Sequence, residues 1–266
     1  MKTIGFVGAG NMARALGGGI AKKASFALVA TDPAPEALEA FTGATGGRAV
    51  PSIEALLAES DIVVLAVKPQ VLVGVLAEMK PHLQARHMVL SIVAGANLRG
   101  LARGLGGEVR TVRSMPNTPA LVGEGMTVLV GGPTATEEDR ATAEEIFAVV
   151  GRAVVVDDEA LLDAVTAVSG SGPGFLFAYA EAMLEAAEAA GLPGDLAATL
   201  VRQTVLGSAV LWQQSSDGVD VLRQRVTSPG GTTQAGLEAL EARGFGAVIR
   251  AAIDAATRRS RELSAN

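Results

Sequence analysis

The stretch that decides the fold lies near the start of the chain and reads Ile4-Gly5-Phe6-Val7-Gly8-Ala9-Gly10-Asn11-Met12-Ala13. Its apolar beginning predicts a buried strand, its glycines a tight turn and its end a helix. In this pattern Gly8 makes the turn, Gly10 lets the backbone approach a pyrophosphate, and Ala13 permits close packing of helix on strand. The helix amino terminus offers unpaired N–H groups to the phosphates. The stretch therefore predicts a dinucleotide-binding βαβ unit.

Short apolar runs and helical patterns alternate through the first 156 residues, which indicates a mostly parallel sheet covered by helices. Ile62–Val67 is continuously apolar, as a central strand buried on both faces should be, and Thr136 is the predicted N-cap of a helix. The predicted strands lie near residues 2–8, 26–31, 61–67, 88–93, 109–114, 126–131 and 152–156, and the predicted helices near 10–23, 34–43, 52–58, 69–79, 97–105 and 136–150.

The pattern changes after Asp157, where no comparable β-rich run follows. The predicted fold class is therefore α/β, with an N-terminal Rossmann-type dinucleotide-binding domain over residues 1–157 and an all-α C-terminal domain over 158–266. The nearly uncharged stretch Ala197–Leu211 predicts dimerisation through the helical domain, with a self-contained bundle as the alternative. Helices are predicted over residues 158–168, 173–190, 195–214, 218–226, 231–243 and 245–263.

Composition narrows the classes of partner and chemistry. A net charge of −6 gives no basic surface for nucleic acid or an anionic membrane, and the absence of cysteine excludes disulfides and thiolate chemistry. The chain enters a strand at once, without a signal-like leader, and has no run of the roughly 18–20 uncharged apolar residues that a membrane span needs. We expect a cytoplasmic protein with a small-molecule substrate, no metal, no nucleic acid and no membrane partner.

Proton-transfer side chains are distributed unevenly. The last lysine is Lys80 and the last histidine is His87, so the helical half offers only carboxylates, hydroxyls and the single Tyr179. A hydroxy-acid dehydrogenase moves a proton on or off a carbonyl oxygen, usually through a positioned His or Lys. The helical half contains neither, which restricts the chemistry it can support.

Asp32 is the candidate for the adenosine ribose. It stands 24 residues after Gly8, about the spacing expected of the acidic residue that binds the ribose hydroxyls. No Lys or Arg occurs between Ala24 and Gly47 to pair with a 2′-phosphate, so the local sequence favours NADH over NADPH. In the alternative, Asp32 caps the following helix and points away from the cofactor.

Three further segments are candidate ligand contacts. Two of them follow predicted strands, at the carboxyl edge where an open α/β sheet binds ligands, and the third joins two predicted helices. Ala66–Gln70 ends the central strand, and Lys68 either faces the cofactor or is solvated there. Met115–Pro119 either leaves Asn117 free to hydrogen-bond or forms a rigid connector. Ser169–Gly174, which contains Ser171, either approaches a bound ring or acts as a flexible linker.

The second diagnostic stretch lies near the end of the chain. Val226-Thr227-Ser228-Pro229-Gly230-Gly231-Thr232-Thr233 is a glycine- and hydroxyl-rich turn between helical segments. Such a turn can surround a small anion with backbone N–H groups and hydroxyls.

Together these motifs resemble the Δ1-pyrroline-5-carboxylate reductase family over the full length of the chain. The similarity includes Gly8–Ala13, Ala66–Pro69, Met115–Pro119, Ser169–Pro173 and Val226–Thr233, followed by Gly236, Leu237 and Glu241. It implies reduction of 1-pyrroline-5-carboxylate to L-proline by NADPH or NADH, and a homodimer that assembles further, up to a decamer. The chain departs from the family pattern at Gly174-Phe175 and Ser215–Gly218, and carries Asp32 where many members have a neutral or small residue.

The resemblance also implies site residues, to which the local sequence adds Asn117, Ser171 and Asp32. Amides of Gly231, Thr232 and Thr233 hold the substrate carboxylate, and the Thr233 hydroxyl contacts the ring nitrogen as the catalytic group. The expected substrate-binding residues are Ser228, Gly230, Gly231, Thr232, Thr233, Asn117 and Ser171. The expected cofactor-binding residues are Val7, Gly8, Ala9, Gly10, Asn11, Met12, Asp32, Ala66, Val67, Lys68, Pro69, Ile92, Val93 and Ala94.

An imine substrate agrees with the missing histidine and lysine. A cyclic imine protonated in solution is already an iminium, so hydride attack gives the neutral amine directly, and Thr233 orients more than it protonates. A β-hydroxyacid dehydrogenase, by contrast, would carry a lysine on the helix after Ser169–Gly174, where none occurs. A nucleotide sensor without catalysis would have no use for the Ser228–Thr233 turn. A reductase of a related cyclic imine stays open at this point.

Overall fold

The structure is a computed structural model that describes residues 1–23 and 26–265. Within those residues the first part of the chain forms one eight-stranded sheet. Its strands are Thr3–Val7 (β1), Ala27–Thr31 (β2), Arg48–Ala49 (β3), Ile62–Leu65 (β4), Met88–Ser91 (β5), Arg110–Met115 (β6), Gly125–Gly131 (β7) and Gly151–Val156 (β8).

The strand order is β3-β2-β1-β4-β5-β6-β7-β8. Neighbouring strands are parallel except for β6 and β7, which pair antiparallel. The chain runs outward from β1 to β3 and then returns to place β4 on the other side of β1. The order therefore reverses between β1 and β4, and open α/β sheets bind ligands at the carboxyl ends of the strands at such a point. The predicted α/β class is confirmed.

The helices of the described residues first alternate with the strands and then follow the last strand. They are Asn11–Lys23 (α1), Pro35–Thr45 (α2), Ile53–Glu59 (α3), Leu72–Met79 (α4), Leu98–Leu105 (α5), Glu137–Ala148 (α6), Leu161–Val165 (α7), Gly172–Ala189 (α8), Gly194–Gln214 (α9), Val219–Arg225 (α10), Thr232–Ala242 (α11) and Phe245–Ala265 (α12). A π-helical turn, Thr166–Gly170, lies between α7 and α8, and short 3₁₀ turns cover Pro69–Val71, Lys80–His82 and Thr118–Val122.

Alternating side chains of the strands build a core on each face of the sheet. Ile4 and Phe6 pack with residues of α1 and α6 on one face, whereas Val63 and Leu65 pack with residues of α3 and α4 on the other. All four residues of β4 are buried, because helices cover both faces. The prediction of a central strand buried on both faces is therefore confirmed.

Local capping explains where two of these helices begin. The Thr136 hydroxyl accepts from the Asp139 N–H, and the Asp139 carboxylate accepts from the Thr136 N–H, which is a capping box at the start of α6. This confirms the predicted N-cap. Ser52 caps α3 in a similar way, its hydroxyl accepting from the Ala55 N–H.

The chain divides into two compact units. One comprises the described residues up to Ser171 and those from Ala256 onward, and the other comprises Gly172–Ala255. The predicted boundary at residue 157 marks the end of the sheet, but α7 belongs with the first unit because Leu162 is buried against Val128 and Val130 of β7.

The second unit consists of α8 to α11 and the larger part of α12, and α8 packs beside α9. Ala197 and Val201 are buried on α9, but many large apolar side chains lie at the surface of the unit. Phe177 is 69% exposed and Trp212 is 57% exposed. The exposed apolar residues include Leu176, Phe177, Leu206, Leu211, Trp212, Val219, Val248 and Ile249.

One helical stretch of the described chain, Leu161–Ala189, is long and apolar enough to span a membrane by length and composition alone. The sequence expectation differed because it required an uncharged run, and this stretch includes Asp163 and Glu181. Asp163 accepts a hydrogen bond from the Ser260 hydroxyl at 2.6 Å, so part of the stretch is tied into the first unit.

Candidate functional site

The turn after β1 depends on glycine at its first position. Gly8 has a φ of +98°, and a Cβ placed on it would lie 2.6 Å from the carbonyl oxygen of Ala66. The Gly8 N–H donates to the Thr31 carbonyl at 2.9 Å, and the Ala66 N–H donates to the Val7 carbonyl at 2.8 Å. The turn is therefore held between the ends of β2 and β4, where a larger residue does not fit.

Gly10 serves a different purpose from Gly8. A Cβ on Gly10 would meet no atom within 4 Å, so the space above the turn is open. Helix α1 begins at the next residue, Asn11, and the first N–H groups of a helix have no acceptor within it. Open space over a glycine and a helix amino terminus together fit the pyrophosphate of a dinucleotide. Val7 is 2% exposed and Ala9 is buried, so those two residues face this region with backbone atoms only.

The carboxylate of Asp32 lies against the glycine turn. Its Oδ2 accepts from the Ala9 N–H at 2.8 Å, and its Oδ1 accepts from the Ala34 N–H at 2.9 Å. The sequence left open whether Asp32 faces the turn or caps the following helix. In the structure Asp32 faces the turn with one oxygen and bonds the Ala34 N–H with the other, and it provides no side-chain cap to α2.

The carboxyl end of β4 lies beside the turn, and the end of β5 lies next to that of β4. Lys68 precedes the 3₁₀ turn that Pro69 begins, and the structure leaves its side chain exposed. Ile92 follows β5 and donates its N–H to the Leu65 carbonyl at 3.1 Å. Val93 is buried with Leu101 in the core, so its backbone alone is available to a ligand, whereas Ala94 is exposed. Sequence reasoning did not anticipate the burial of Val93.

Long-range contacts hold the loop Ile92–Asn97, and sequence reasoning missed them. The Asn97 side chain caps α5 by accepting from the Gly100 N–H at 2.7 Å, and its Nδ2 donates to the Ser264 carbonyl at 2.6 Å. Glu159 accepts from the Leu98 N–H at 2.8 Å and from Arg113 Nη1 at 2.7 Å. An Asn before a helical run signals a cap, but no local pattern points to Ser264 or Glu159.

A cavity of about 710 Å³ lies beside this loop within the first unit. It combines apolar side chains of α4 with two exposed arginines of α5 and the last turn of α12. Its lining includes Pro69, Leu72, Val73, Ala94, Asn97, Arg99, Arg103, Glu159 and Leu263. Of the predicted cofactor residues, Pro69 and Ala94 reach it.

The Asn117 side chain links two segments of the first unit by hydrogen bonds. Its Oδ1 accepts from the Met126 N–H at 2.8 Å, and its Nδ2 donates to the Ser169 carbonyl at 3.0 Å. Ser169 lies in the π-helical turn, which Ser171 closes by donating its N–H to the Thr166 carbonyl at 2.8 Å. The amide therefore connects the segment after β6 to the segment before α8, as the rigid-connector alternative expects, with one Nδ2 hydrogen left over.

The turn before α11 belongs to the second unit. Gly230 has a φ of +69° and donates its N–H to Gln234 Oε1 at 2.7 Å, and the Gly231 N–H donates to the Ser228 carbonyl at 3.0 Å. Helix α11 begins at Thr232, and its N-cap Gly231 provides no side-chain cap. The first N–H groups of α11, those of Thr232 and Thr233 among them, therefore have no acceptor within the helix. Both threonines are exposed.

The buried histidine lies outside these two regions. His87 is 1% exposed, its Nδ1 accepts from the Gln84 N–H, and its Nε2 donates to the Leu57 carbonyl, each at 2.9 Å. Burial lowers the pKa of His87, and the charge of Arg86 lowers it further. The neutral ring is structural. Among the described residues, no group of three or more Asp, Glu or His side chains could hold a metal ion.

Two family models match the chain, one on each part. The model described as "Pyrroline-5-carboxylate reductase dimerisation" matches residues 159–263. The model described as "NADP oxidoreductase coenzyme F420-dependent" matches residues 3–95, which include the glycine turn and the ends of β2 and β4.

Individual relatives match almost the whole chain. Pyrroline-5-carboxylate reductase from Arabidopsis thaliana is 40% identical over 98% of this chain and 95% of its own length, and that from Pseudomonas aeruginosa is 40% identical over 98% and 96%. Among solved structures, a pyrroline-5-carboxylate reductase from Coxiella burnetii superposes with a TM-score of 0.92 at 35% identity, covering 98% of both chains. The Plasmodium falciparum pyrroline carboxylate reductase with NADP bound gives a TM-score of 0.88 at 32% identity, covering 99% of this chain and 98% of its own.

Proposed function

We propose that this chain, which belongs to the pyrroline-5-carboxylate reductase family, reduces the C=N bond of 1-pyrroline-5-carboxylate to give L-proline. The observation that carries the proposal is 40% identity over 98% of the chain to relatives of that name, a span that covers both the glycine turn and the Ser228–Thr233 turn. NADPH or NADH supplies the hydride when bound, as expected of an NAD(P)H-dependent oxidoreductase.

The glycine turn binds the dinucleotide in this proposal. Gly10 leaves room for the pyrophosphate, the first N–H groups of α1 face its charge, and Asp32 faces the ribose. Pro69 and Ala94 lie toward the nicotinamide end. These residues bind and orient, and none of them has to exchange a proton.

The turn before α11 binds the substrate carboxylate. The N–H groups of Thr232 and Thr233 point along the axis of an 11-residue helix, whose amino terminus carries a partial positive charge. The Gly231 N–H serves the turn itself, because it already donates to the Ser228 carbonyl. The carboxylate therefore rests chiefly on two amides and the neighbouring hydroxyls.

Thr233 acts on the ring nitrogen. A protonated imine needs no general acid on the enzyme, which agrees with a helical half that has no His or Lys. The Thr233 hydroxyl hydrogen-bonds the nitrogen and thereby orients the ring for hydride attack. Asn117 and Ser171 act less directly, since the Asn117 amide holds the π-helical turn that ends at Ser171.

The exposed apolar side chains of the second unit support assembly with a second copy of the chain. Residues 159–263 match a dimerisation model, and this range contains Phe177, Leu211 and Trp212, which are all exposed. Such side chains become buried when a homodimer forms. Assembly up to a decamer, a cytoplasmic location and the absence of membrane and nucleic-acid partners stay predictions.

A turnover assay tests the function. The purified chain is mixed with pyrroline-5-carboxylate and either NADH or NADPH, and both cofactor oxidation and L-proline are measured. The expected result is one proline formed for each cofactor oxidised. Reduction of a ring imine without the carboxylate at the same kcat/KM would contradict the role of the Ser228–Thr233 turn and favour a broader imine reductase.

A further inference from the structure

We infer that Asp32 makes this chain select NADH over NADPH. The inference rests on the proposed dinucleotide site, and it goes beyond the family assignment, since a related solved structure carries NADP. It concerns the chain's own residues where the adenosine ribose would lie, and it is testable by binding alone.

Hydrogen bonds fix the orientation of the Asp32 carboxylate. Both of its oxygens accept from backbone N–H groups, Oδ2 from Ala9 at 2.8 Å and Oδ1 from Ala34 at 2.9 Å. Two such bonds restrict the rotation of the carboxylate. The contact with Ala9 fixes it beside the glycine turn, and each oxygen keeps a lone pair that a ribose hydroxyl can use.

NADH and NADPH differ in charge at the adenosine ribose. NADH presents two hydroxyls at this ribose, which donate to a carboxylate. NADPH replaces one of them with a phosphate that carries a charge of about −1.5 to −2 at neutral pH. An ionised carboxylate at contact distance repels that phosphate, and it cannot rotate away without losing the bond to Ala9.

The sequence next to Asp32 provides no cation to pair with a 2′-phosphate. No Lys or Arg occurs from Ala24 to Gly47. Arg48, which follows, pairs with Glu59, and it lies beside Val29, below the carboxyl end of β2. The Arg14 guanidinium contacts the Asn11 side chain. Arg48 therefore already has a carboxylate partner, whereas Arg14 bonds a neutral amide within α1.

Lys68 belongs to a different part of the edge. Thr31 and Leu65 both pair with Val7, from opposite sides of β1, so the ends of β2 and β4 are two strand spacings apart, roughly 10 Å. Asp32 follows the first of these ends and Lys68 the second. Lys68 therefore follows the end of β4, whereas Asp32 follows the end of β2.

Binding measured without the imine tests the inference. Dissociation constants for NADH and NADPH are determined by calorimetry for the full-length chain, for D32S and D32N, and for E36Q. The E36Q control removes one negative charge four residues away, at an exposed side chain in the first turn of α2. The wild-type chain is expected to bind NADH about tenfold or more tightly than NADPH, and D32S is expected to reduce that ratio about tenfold or more, mainly by tightening NADPH.

The ratio should not change in E36Q. Equal affinities in the wild-type chain overturn the inference, as does an unchanged ratio in folded D32S and D32N. If both variants unfold, the ratio of the NADH and NADPH dissociation constants of the wild-type chain still tests the inference. Failure of the proposed reaction is a separate result, since a chain that selects NADH but does not reduce pyrroline-5-carboxylate loses the function and keeps the role of Asp32.

Discussion

The side-chain amide of Asn117 donates to the carbonyl of Ser169 at 3.0 Å, across 52 residues of sequence. Ser169 lies in a π-helical turn, and such turns occur frequently at functional sites. The same amide accepts from the Met126 N–H at 2.8 Å, so one side chain joins β7, the connector after β6 and the segment before α8. The chain thus holds its π-helical turn with a polar tie.

Asn117→Ala should weaken the fold, because it leaves the Met126 N–H without its acceptor. The expected loss is about 1–3 kcal/mol in the free energy of unfolding. Chemical denaturation of the variant and of a Gln70→Ala control, which removes an exposed amide, measures it. A midpoint equal to that of the wild-type chain would show that the tie contributes no stability.

The two glycines of the turn should fail in different ways when replaced by alanine. Gly8→Ala places a Cβ 2.6 Å from the Ala66 carbonyl oxygen at a φ of +98°, so it should lower Tm as well as cofactor affinity. Gly10→Ala meets no protein atom and should leave Tm within a few degrees while weakening NADH binding about tenfold or more.

Gly43→Ala is the matched control, because its Cβ also meets open space but lies on α2. It should leave NADH affinity unchanged and raise the stability of the fold slightly. Normal NADH affinity in Gly10→Ala would mean that the pyrophosphate does not approach this position.

Thr233→Ala should lower kcat/KM for pyrroline-5-carboxylate by about one to three decades, on the scale of losing one aimed hydrogen bond. Steady-state kinetics measure the change. Thr199→Ala provides the control, since the Thr199 hydroxyl donates to the Asp195 carbonyl within α9 and is exposed. Wild-type kinetics in Thr233→Ala would remove its hydroxyl from the reaction.

His87 should make the fold less stable in mild acid. Its pKa is lowered in the folded chain from 6.5, so the neutral ring contributes its full stability above pH 6.5. That contribution decreases as the pH falls from 6.5 through the folded-state pKa, because the unfolded chain then binds the proton more readily. A proton on Nδ1 would also displace the hydrogen bond from the Gln84 N–H.

Urea denaturation at about pH 7.5 and about pH 5.5 measures the effect in the wild-type chain, in His87→Asn and in His82→Gln. The difference between the two pH values should shrink in His87→Asn and persist in His82→Gln, since His82 is only partly buried. An equal difference in all three proteins would exclude His87 as its cause.

Elements with a strong local pattern could be predicted from the sequence. The burial of Ile62–Leu65 followed from its unbroken apolar run, and the start of α6 followed from the spacing of Thr136 and Asp139. The two-residue strand Arg48–Ala49 was missed, because it lies at the sheet edge with both residues exposed and carries no apolar alternation.

The parts that escaped prediction depend on distant partners. The π-helical turn is held by Asn117, and the loop before α5 is held by Ser264, which is 167 residues from Asn97. The side to which Asp32 points depends on the Ala9 N–H, which the sequence around Asp32 does not reveal. Spacing located Asp32, but only the fold showed which atoms its carboxylate contacts.

The most direct test is the oxidation of NADH by the purified chain on addition of pyrroline-5-carboxylate, with L-proline measured in the same sample. NADH should disappear and proline should accumulate in equal amount. NADH that stays unoxidised, while the same chain binds it tightly and NADPH is not oxidised either, would contradict the proposed reduction of the imine.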